Sequence, residues 1–441
     1  MFMSMAQPVR GLNAPELVAS LRPLRATNNQ TNLVCLLKEY LMIAVVLGTT
    51  ISFSLRRHQM GLSFGWDLPV LAIAYLLIGG LQHRLAGLGH ESAHYTLLKN
   101  RWANDWVGDL FCFFPIFATL HQYRVTHLAH HQFTNDWTKD PDLTDVGRPK
   151  GVHEFPMTRT QFIYRYFVRF LLPWVLPNYM AKLALQSVFG KGDNPYLVDP
   201  KFQKRDVVDP SPIRWLSLLG VLYLFGLAGT MNMLFAAGRT NQLIMTVAGV
   251  YLIAMGILCL APENAFFRSP IKNVYSSRAE AMIRLSAMTL LLASFPVLRS
   301  LTGVNAGAYF LLLWVGPLLT TMAYFMLLRD VYQHANADQG RLTNSRVFFS
   351  DRFTRWAVFV YGQDMHVPHH LYPAIPHYHL PQAHQYLKAM SAEYRQHVVE
   401  CDGLFSNQTG LPTILDVMEV PAPTLPLPIA PSSPGPTRIA S

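Results

Sequence analysis

The sequence predicts an all-α polytopic membrane protein, with about six transmembrane helices and a His-rich cytosolic cap. Three observations lead to that fold class. Of 441 residues, 51% are hydrophobic and only 14% charged, where a soluble domain carries roughly a quarter. Several apolar runs approach the ~20 residues that a helix needs to cross a bilayer. Lys and Arg also collect in loops on one side of those runs, as in a positive-inside membrane protein.

The elements follow in order along the chain. Residues 1–33 form a polar lead, with no short apolar region ahead of a small-residue cleavage site, so no cleaved leader is expected. Two crossings are expected at 40–55 and 68–83. The stretches 106–120 and 162–185 are apolar but interrupted by Pro115, Pro173, Pro177, Arg165 and Arg169, which marks them as interfacial or re-entrant helices. Four more crossings are expected at 215–237, 243–261, 281–300 and 306–328. Residues 34–400 thus read as one membrane domain. Residues 401–441 read as a Pro-rich disordered tail, ending PAPTLPLPIAPSSPGPTRIAS, because such a composition buries no core.

The net charge of +10 is distributed unevenly. Residues 83–214 hold sixteen Lys and Arg, and the short loop 262–280 adds Arg268, Lys272 and Arg278. The loops expected on the other side carry only Arg56, Arg57, Arg239 and Arg299. Positive-inside topology accounts for this excess, so no nucleic-acid partner is expected. Cys35, Cys112, Cys259 and Cys401 lack paired spacing, which argues against a disulfide framework or a thiolate zinc site. Trp66, Trp102, Trp106 and Trp215 read as interface anchors, and His83 as a residue reaching toward the interface.

Histidine is where the chain concentrates its chemistry. His90 and His94 form H-x3-H, His127, His130 and His131 form H-x2-H-H, and His366, His369 and His370 repeat H-x2-H-H, with His334 standing alone before the last box. Spacings of three and four put each box's imidazoles on one helical face. Two crossings precede the first boxes and six precede His334, so all nine histidines reach the side that carries the basic excess. Imidazole suits Fe, Zn, Cu and Ni. Nine imidazoles exceed what one tetrahedral ion takes, whereas two ions with four or five nitrogens each would use them all.

GHESAH at 89–94, LKNRWANDWVGD at 98–109, YRVTHLAHH at 123–131, DPD at 140–142 and HVPHHLYPAIPHYHLP at 366–381 together resemble the membrane fatty acid desaturase superfamily, which includes hydroxylases and ketolases. The resemblance covers roughly 88–143 and 330–387. It implies a non-haem di-iron centre held by His90, His94, His127, His130, His131, His334, His366, His369 and His370. It also implies O2 as co-substrate and a lipid or fatty acyl substrate, most simply desaturated. Glu91, His121 and Asp330 are candidates for supporting the ligands; the family often has Asn at the position of Asp330. Pro368 inside the last box fits the first turn of a helix. The chain has no HPGG haem motif and no flavin or nicotinamide fingerprint, so a separate electron donor of ferredoxin or cytochrome b5 type is expected. The boxes and both termini are expected on the cytosolic side.

Two other classes compete. His90-Glu91-Ser92-Ala93-His94 also matches H-E-x-x-H, the zinc motif of a metalloprotease, but an intramembrane protease leaves both H-x2-H-H boxes without a use. A metal transporter would place ionisable residues within the crossings, and the central parts of the later crossings hold almost none.

Overall fold

The computed structural model describes residues 11–144, 154–181, 194–198 and 215–420. Among the described residues, six helices are long and apolar enough to cross a membrane. After a short helix α1 (Pro15–Leu21) come α2 (Asn29–Arg56) and α3 (Asp67–Ala93). The short α4 (Arg101–Val107) and the cap helix α5 (Leu120–Phe133) follow. The later crossings are α6 (Trp215–Ala236), α7 (Thr240–Leu260), α8 (Ser277–Thr302) and α9 (Ala306–His334). The cap is completed by α10 (His366–Leu371), α11 (Leu380–Met390) and a parallel pair of three-residue strands, β1 (Val347–Phe349) and β2 (Glu400–Asp402).

The expected crossings are all present, but the first two and the last two are longer than hydropathy suggests. At 1.5 Å per residue, the 27 residues of α3 span about 40 Å, against roughly 30 Å of hydrocarbon. The excess emerges at one end of the bundle and carries His90 there, with His94 capping the helix. The last helix does the same for His334. It winds through two π-helical segments, Leu311–Val315 and Leu318–Met322, before its final regular turns. Asn28 starts α2 by accepting from the N–H groups of Gln30 and Thr31.

The lipid-facing surface explains the composition. No residue of α7 is buried, and Phe225, Met245, Leu252 and Leu301 all point outward, as the hydrocarbon of a bilayer permits. Where α3 crosses the last helix, the backbones nearly touch: a Cβ at Gly79 would stand 2.7 Å from the Met322 nitrogen, so only Gly fits.

Arg124 locks the cap to the bundle. It is fully buried, with Nη1 3.1 Å from Asp105 Oδ2, and it also donates to Ser92 O at 3.0 Å and Ala93 O at 3.2 Å. Those carbonyls belong to the last turn of α3, where the helix runs out of i+4 donors, and Ser92 O also takes the Tyr95 N–H and the Asn104 amide. One guanidinium thus closes α3 against α4 and α5.

Several positions differ from expectation in an instructive way. His83 does not reach the interface: it is fully buried, with Nδ1 2.7 Å from Ala357 O. In the N-terminal lead, Leu17 and Leu21 of α1 are buried against Val367, Leu380 and Leu387. Residues 401–419, read from composition as the start of the tail, fold back. Ile414, Leu415 and Met418 pack with Phe162, Tyr332 and Phe359, and residues 421–441 lie outside the described residues.

Candidate metal centre

Four elements deliver nine imidazoles to one end of the bundle: the ends of α3 and the last crossing, α5, and α10. The imidazoles divide into two groups. His90, His94, His127, His131 and His369 form one; His130, His334, His366 and His370 form the other. Within each group the ligand atoms lie within 4.8 Å of one another.

Helical geometry explains why the boxes are split rather than kept whole. A residue turns the helix by about 100°, so positions i and i+4 nearly eclipse while i+3 and i+4 diverge by that angle. His127 and His131 therefore serve one group, and His130 between them serves the other. The last box mirrors this: His366 and His370 serve the second group and His369 the first. Each H-x2-H-H box bridges the two groups.

The nitrogens converge at distances that fit metal ligation. In the first group His90 Nε2 is 3.0 Å from His369 Nε2, His94 Nε2 is 2.9 Å from His127 Nε2, and His131 Nε2 is 3.0 Å from His127 Nε2. In the second, His366 Nε2 is 2.8 Å from His334 Nε2 and 3.0 Å from His370 Nε2. Two nitrogens held about 2.1 Å from one ion at a right angle stand ~3.0 Å apart. Pairwise hydrogen bonds would not suffice, because five nitrogens meet with too few protons to share. Pro368 sits inside the first turn of α10 and leaves His366 well placed.

At His334 and His130 the opposite ring nitrogen is held from behind by an oxygen acceptor, which favours the tautomer that presents Nε2. His334 Nδ1–H donates to Asn344 O at 3.0 Å, and His130 Nδ1 lies 3.0 Å from Asp140 Oδ1. Thr134 Oγ1 lies 3.3 Å from His370 Nδ1, whereas the Gln363 amide nitrogen, a donor, lies 3.3 Å from both ring nitrogens of His90 and so selects neither, and His131 and His366 have no Nδ1 partner among the described residues. Electrostatics single out one imidazole, His130, from the rest. Burial first, then neighbouring imidazoles, pushes His127, His131, His366, His369 and His370 well below the usual range, and burial with Arg124 takes His94 down to about 3. Burial would lower His130 too, but the Asp140 and Asp142 carboxylates reverse it and raise it to about 9.

The three candidate supporting residues take different places. Glu91 accepts from the Thr96 hydroxyl at 2.9 Å and from the His377 backbone N–H at 3.0 Å, with Oε1 3.7 Å from His90 Nδ1. It is thus committed to bracing the end of α3, unlike the free general base that a protease needs. Asp330 is buried close enough to act on the charge of both His130 and His334. His121 joins neither imidazole group; its Nδ1 lies 3.4 Å from Glu280 Oε2 on another side of α5. Sequence reasoning did not single out Asp140, Asn344 or Gln363. Asp140 had a signal in the DPD motif ten residues past His130, whereas a backbone carbonyl such as that of Asn344 has none.

The chain matches the family described as "Fatty acid desaturase" over residues 66–265 and 250–401. It is 28% identical over 269 residues to the dihydrorhizobitoxine desaturase of Bradyrhizobium elkanii, covering 59% of this chain and 66% of that protein. It is 31% identical over 122 residues to an sn-1 oleoyl-lipid 12-desaturase of Anabaena variabilis, covering 26% and 34%. It is also 32% identical over 110 residues to an sn-1 acyl-lipid omega-3 desaturase (ferredoxin) of Nostoc sp. (strain 36), covering 25% and 29%. The matches therefore span less than two thirds of these relatives' own lengths.

Proposed function

The chain belongs to the fatty acid desaturase family, and from that premise we propose that it is an oxidoreductase that removes hydrogen from an unactivated C–H bond of a lipid chain, forming a double bond. The observation that carries the reading is the sorting of nine buried or half-buried imidazoles into a group of five and a group of four at one end of a six-helix membrane bundle.

His90, His94, His127, His131 and His369 would hold one iron ion, and His130, His334, His366 and His370 the other. The donor set fits: all nitrogen, borderline in softness, and mostly neutral through burial. When bound, such a pair supplies O2-dependent hydrogen removal from an alkyl chain, with two electrons from a separate donor and two protons accompanying the reduction of O2 to water. The chain's own contribution is placement. His334 and His130 keep their Nε2 lone pairs inward through Asn344 and Asp140, and Glu91 and Arg124 brace the end of α3. The surrounding core excludes water.

The basic loops and the even number of crossings support a cytosolic location for the boxes and the termini. A ferredoxin-type or cytochrome b5-type donor fits that face, and the name of the Nostoc relative includes ferredoxin. The test is a product profile by mass spectrometry after incubating the iron-loaded protein with bilayer lipids, O2 and reduced ferredoxin. A loss of two hydrogens supports desaturation. A gain of one oxygen identifies a hydroxylase of the same superfamily, and lipids left unchanged overturn the proposal.

A further inference from the structure

A third group of metal-binding side chains lies outside the nine imidazoles. Asp109, His121 and Glu280 come from three segments: the π-helical turn Gly108–Phe113, the start of α5 and the first turn of α8. Their ligand atoms lie within 4.8 Å of one another, and all three residues are buried, His121 completely.

The hydrogen bonding of this group is incomplete. Asp109 accepts from the Leu120 N–H at 2.8 Å and from the Tyr275 hydroxyl. Glu280 accepts from the His121 N–H at 3.2 Å. Neither carboxylate makes a salt bridge to Lys or Arg among the described residues. The two nearby guanidiniums are engaged elsewhere, Arg124 by Asp105 and Arg284 by Phe117 O at 3.1 Å. Neither ring nitrogen of His121 has a hydrogen-bond partner among the described residues. Its Nδ1 is 3.4 Å from Glu280 Oε2 but is not aligned to donate, and its ring stands beside Tyr275, with centroids 5.0 Å apart. A fully buried imidazole with both nitrogens unused, beside two buried carboxylates that Arg284 and Arg124 act on through space without a salt bridge, is costly unless something is bound between them.

We propose that Asp109, His121 and Glu280 form a third metal site, which binds one divalent first-row cation and pins α8 to α5. One imidazole nitrogen and two carboxylates suit Mn2+, Fe2+ or Zn2+. Ligands about 2.1 Å from one ion are separated by ~3.0–4.2 Å, so closure asks for side-chain shifts of under about 1 Å. The site is structural rather than catalytic, because it shares no residue with the imidazole groups. Its position explains how α8, which buries little of its length, is fixed to the cap.

The test uses the iron-loaded protein in detergent with Mn2+ as the probe, since Mn2+ binds nitrogen sites more weakly than Fe2+ and leaves the imidazole groups filled. Free Mn2+ is followed by electron paramagnetic resonance and total metal by elemental analysis. The wild type is expected either to take up one Mn2+ per chain or to hold one metal beyond those that depend on the boxed histidines. Glu280→Gln and Asp109→Asn keep the side-chain volume, and each should lower that affinity by at least ~10-fold with boxed iron unchanged. His121→Ala should abolish it. No extra metal and no Mn2+ uptake by the wild type would overturn the proposal, whatever the variants do. Equal uptake by wild type, Glu280→Gln and Asp109→Asn would overturn it as well.

Discussion

Asp140→Asn should weaken one metal site and leave the other. Each Asp140 oxygen already accepts a backbone N–H, Oδ1 from Asp142 at 2.9 Å and Oδ2 from Asn135 at 2.8 Å, while His130 Nδ1 lies 3.0 Å and 3.2 Å from the two. An amide has one oxygen. In either orientation of the substituted side chain, its NH2 group meets a backbone donor, and in one of them it also turns a donor toward His130 Nδ1. That favours the tautomer with its proton on Nε2, the atom that faces His334 and His370. A hydrogen bond to a charged group is worth about 1.5–3 kcal/mol. Losing such support costs a metal site roughly 10–100-fold in affinity, or about 1.4–2.7 kcal/mol. The assay is chelator competition on iron-loaded protein in detergent, with circular dichroism as a check on folding. The metal dependent on His366 and His370 should weaken by that factor, and the one dependent on His94 and His127 should not. Equal weakening of both metals in a folded protein, or of neither, would refute the assignment of Asp140.

Arg124→Met should destabilise the protein by about 3–5 kcal/mol, because Asp105 is left charged and buried, and adding Asp105→Asn should recover part of the loss of thermal midpoint. Gly79→Ala should cost about 1–3 kcal/mol by forcing α3 off the last crossing, lowering the midpoint without changing metal content per folded chain. His377, which bonds Asn32 Oδ1 at 2.9 Å, sits at about 4 rather than 6.5, first through burial and then through Arg84. Its folded value is depressed, so its contribution is complete above pH 6.5 and lost as pH falls toward 4, at up to about 1.4 kcal/mol per pH unit. A scan of thermal midpoint against pH should fall through that window, and His377→Gln should make the fall shallower.

Much of this architecture was legible because it rests on local rules. Crossings follow from apolar length, and the imidazole faces from spacings of three and four. Even the division of each H-x2-H-H box between two groups is contained in 100° per residue. The ends of the crossings were not legible. Hydropathy stops at His83, yet α3 continues to Ala93 because Arg124 and His377, both distant in sequence, hold its last turn at Ser92 O and Glu91. The supporting contacts from Asn344 and Gln363 depend on how loops return to the cap, which no spacing encodes. Composition misled for 401–419, where a few apolar residues such as Ile414 and Met418 find a core that the rest of the chain has already built.

Iron content compared across single and paired histidine variants bears most directly on the central claim. The protein is purified from iron-supplemented cells, since zinc binds nitrogen sites more tightly than Fe2+. The account predicts that His94→Ala loses about one iron per chain, His366→Ala about one, and the double variant about two, relative to wild type. About one zinc per chain, lost in His90→Ala or His94→Ala but kept in His130→Ala and His369→Ala, would contradict it and point to a single H-E-x-x-H site instead.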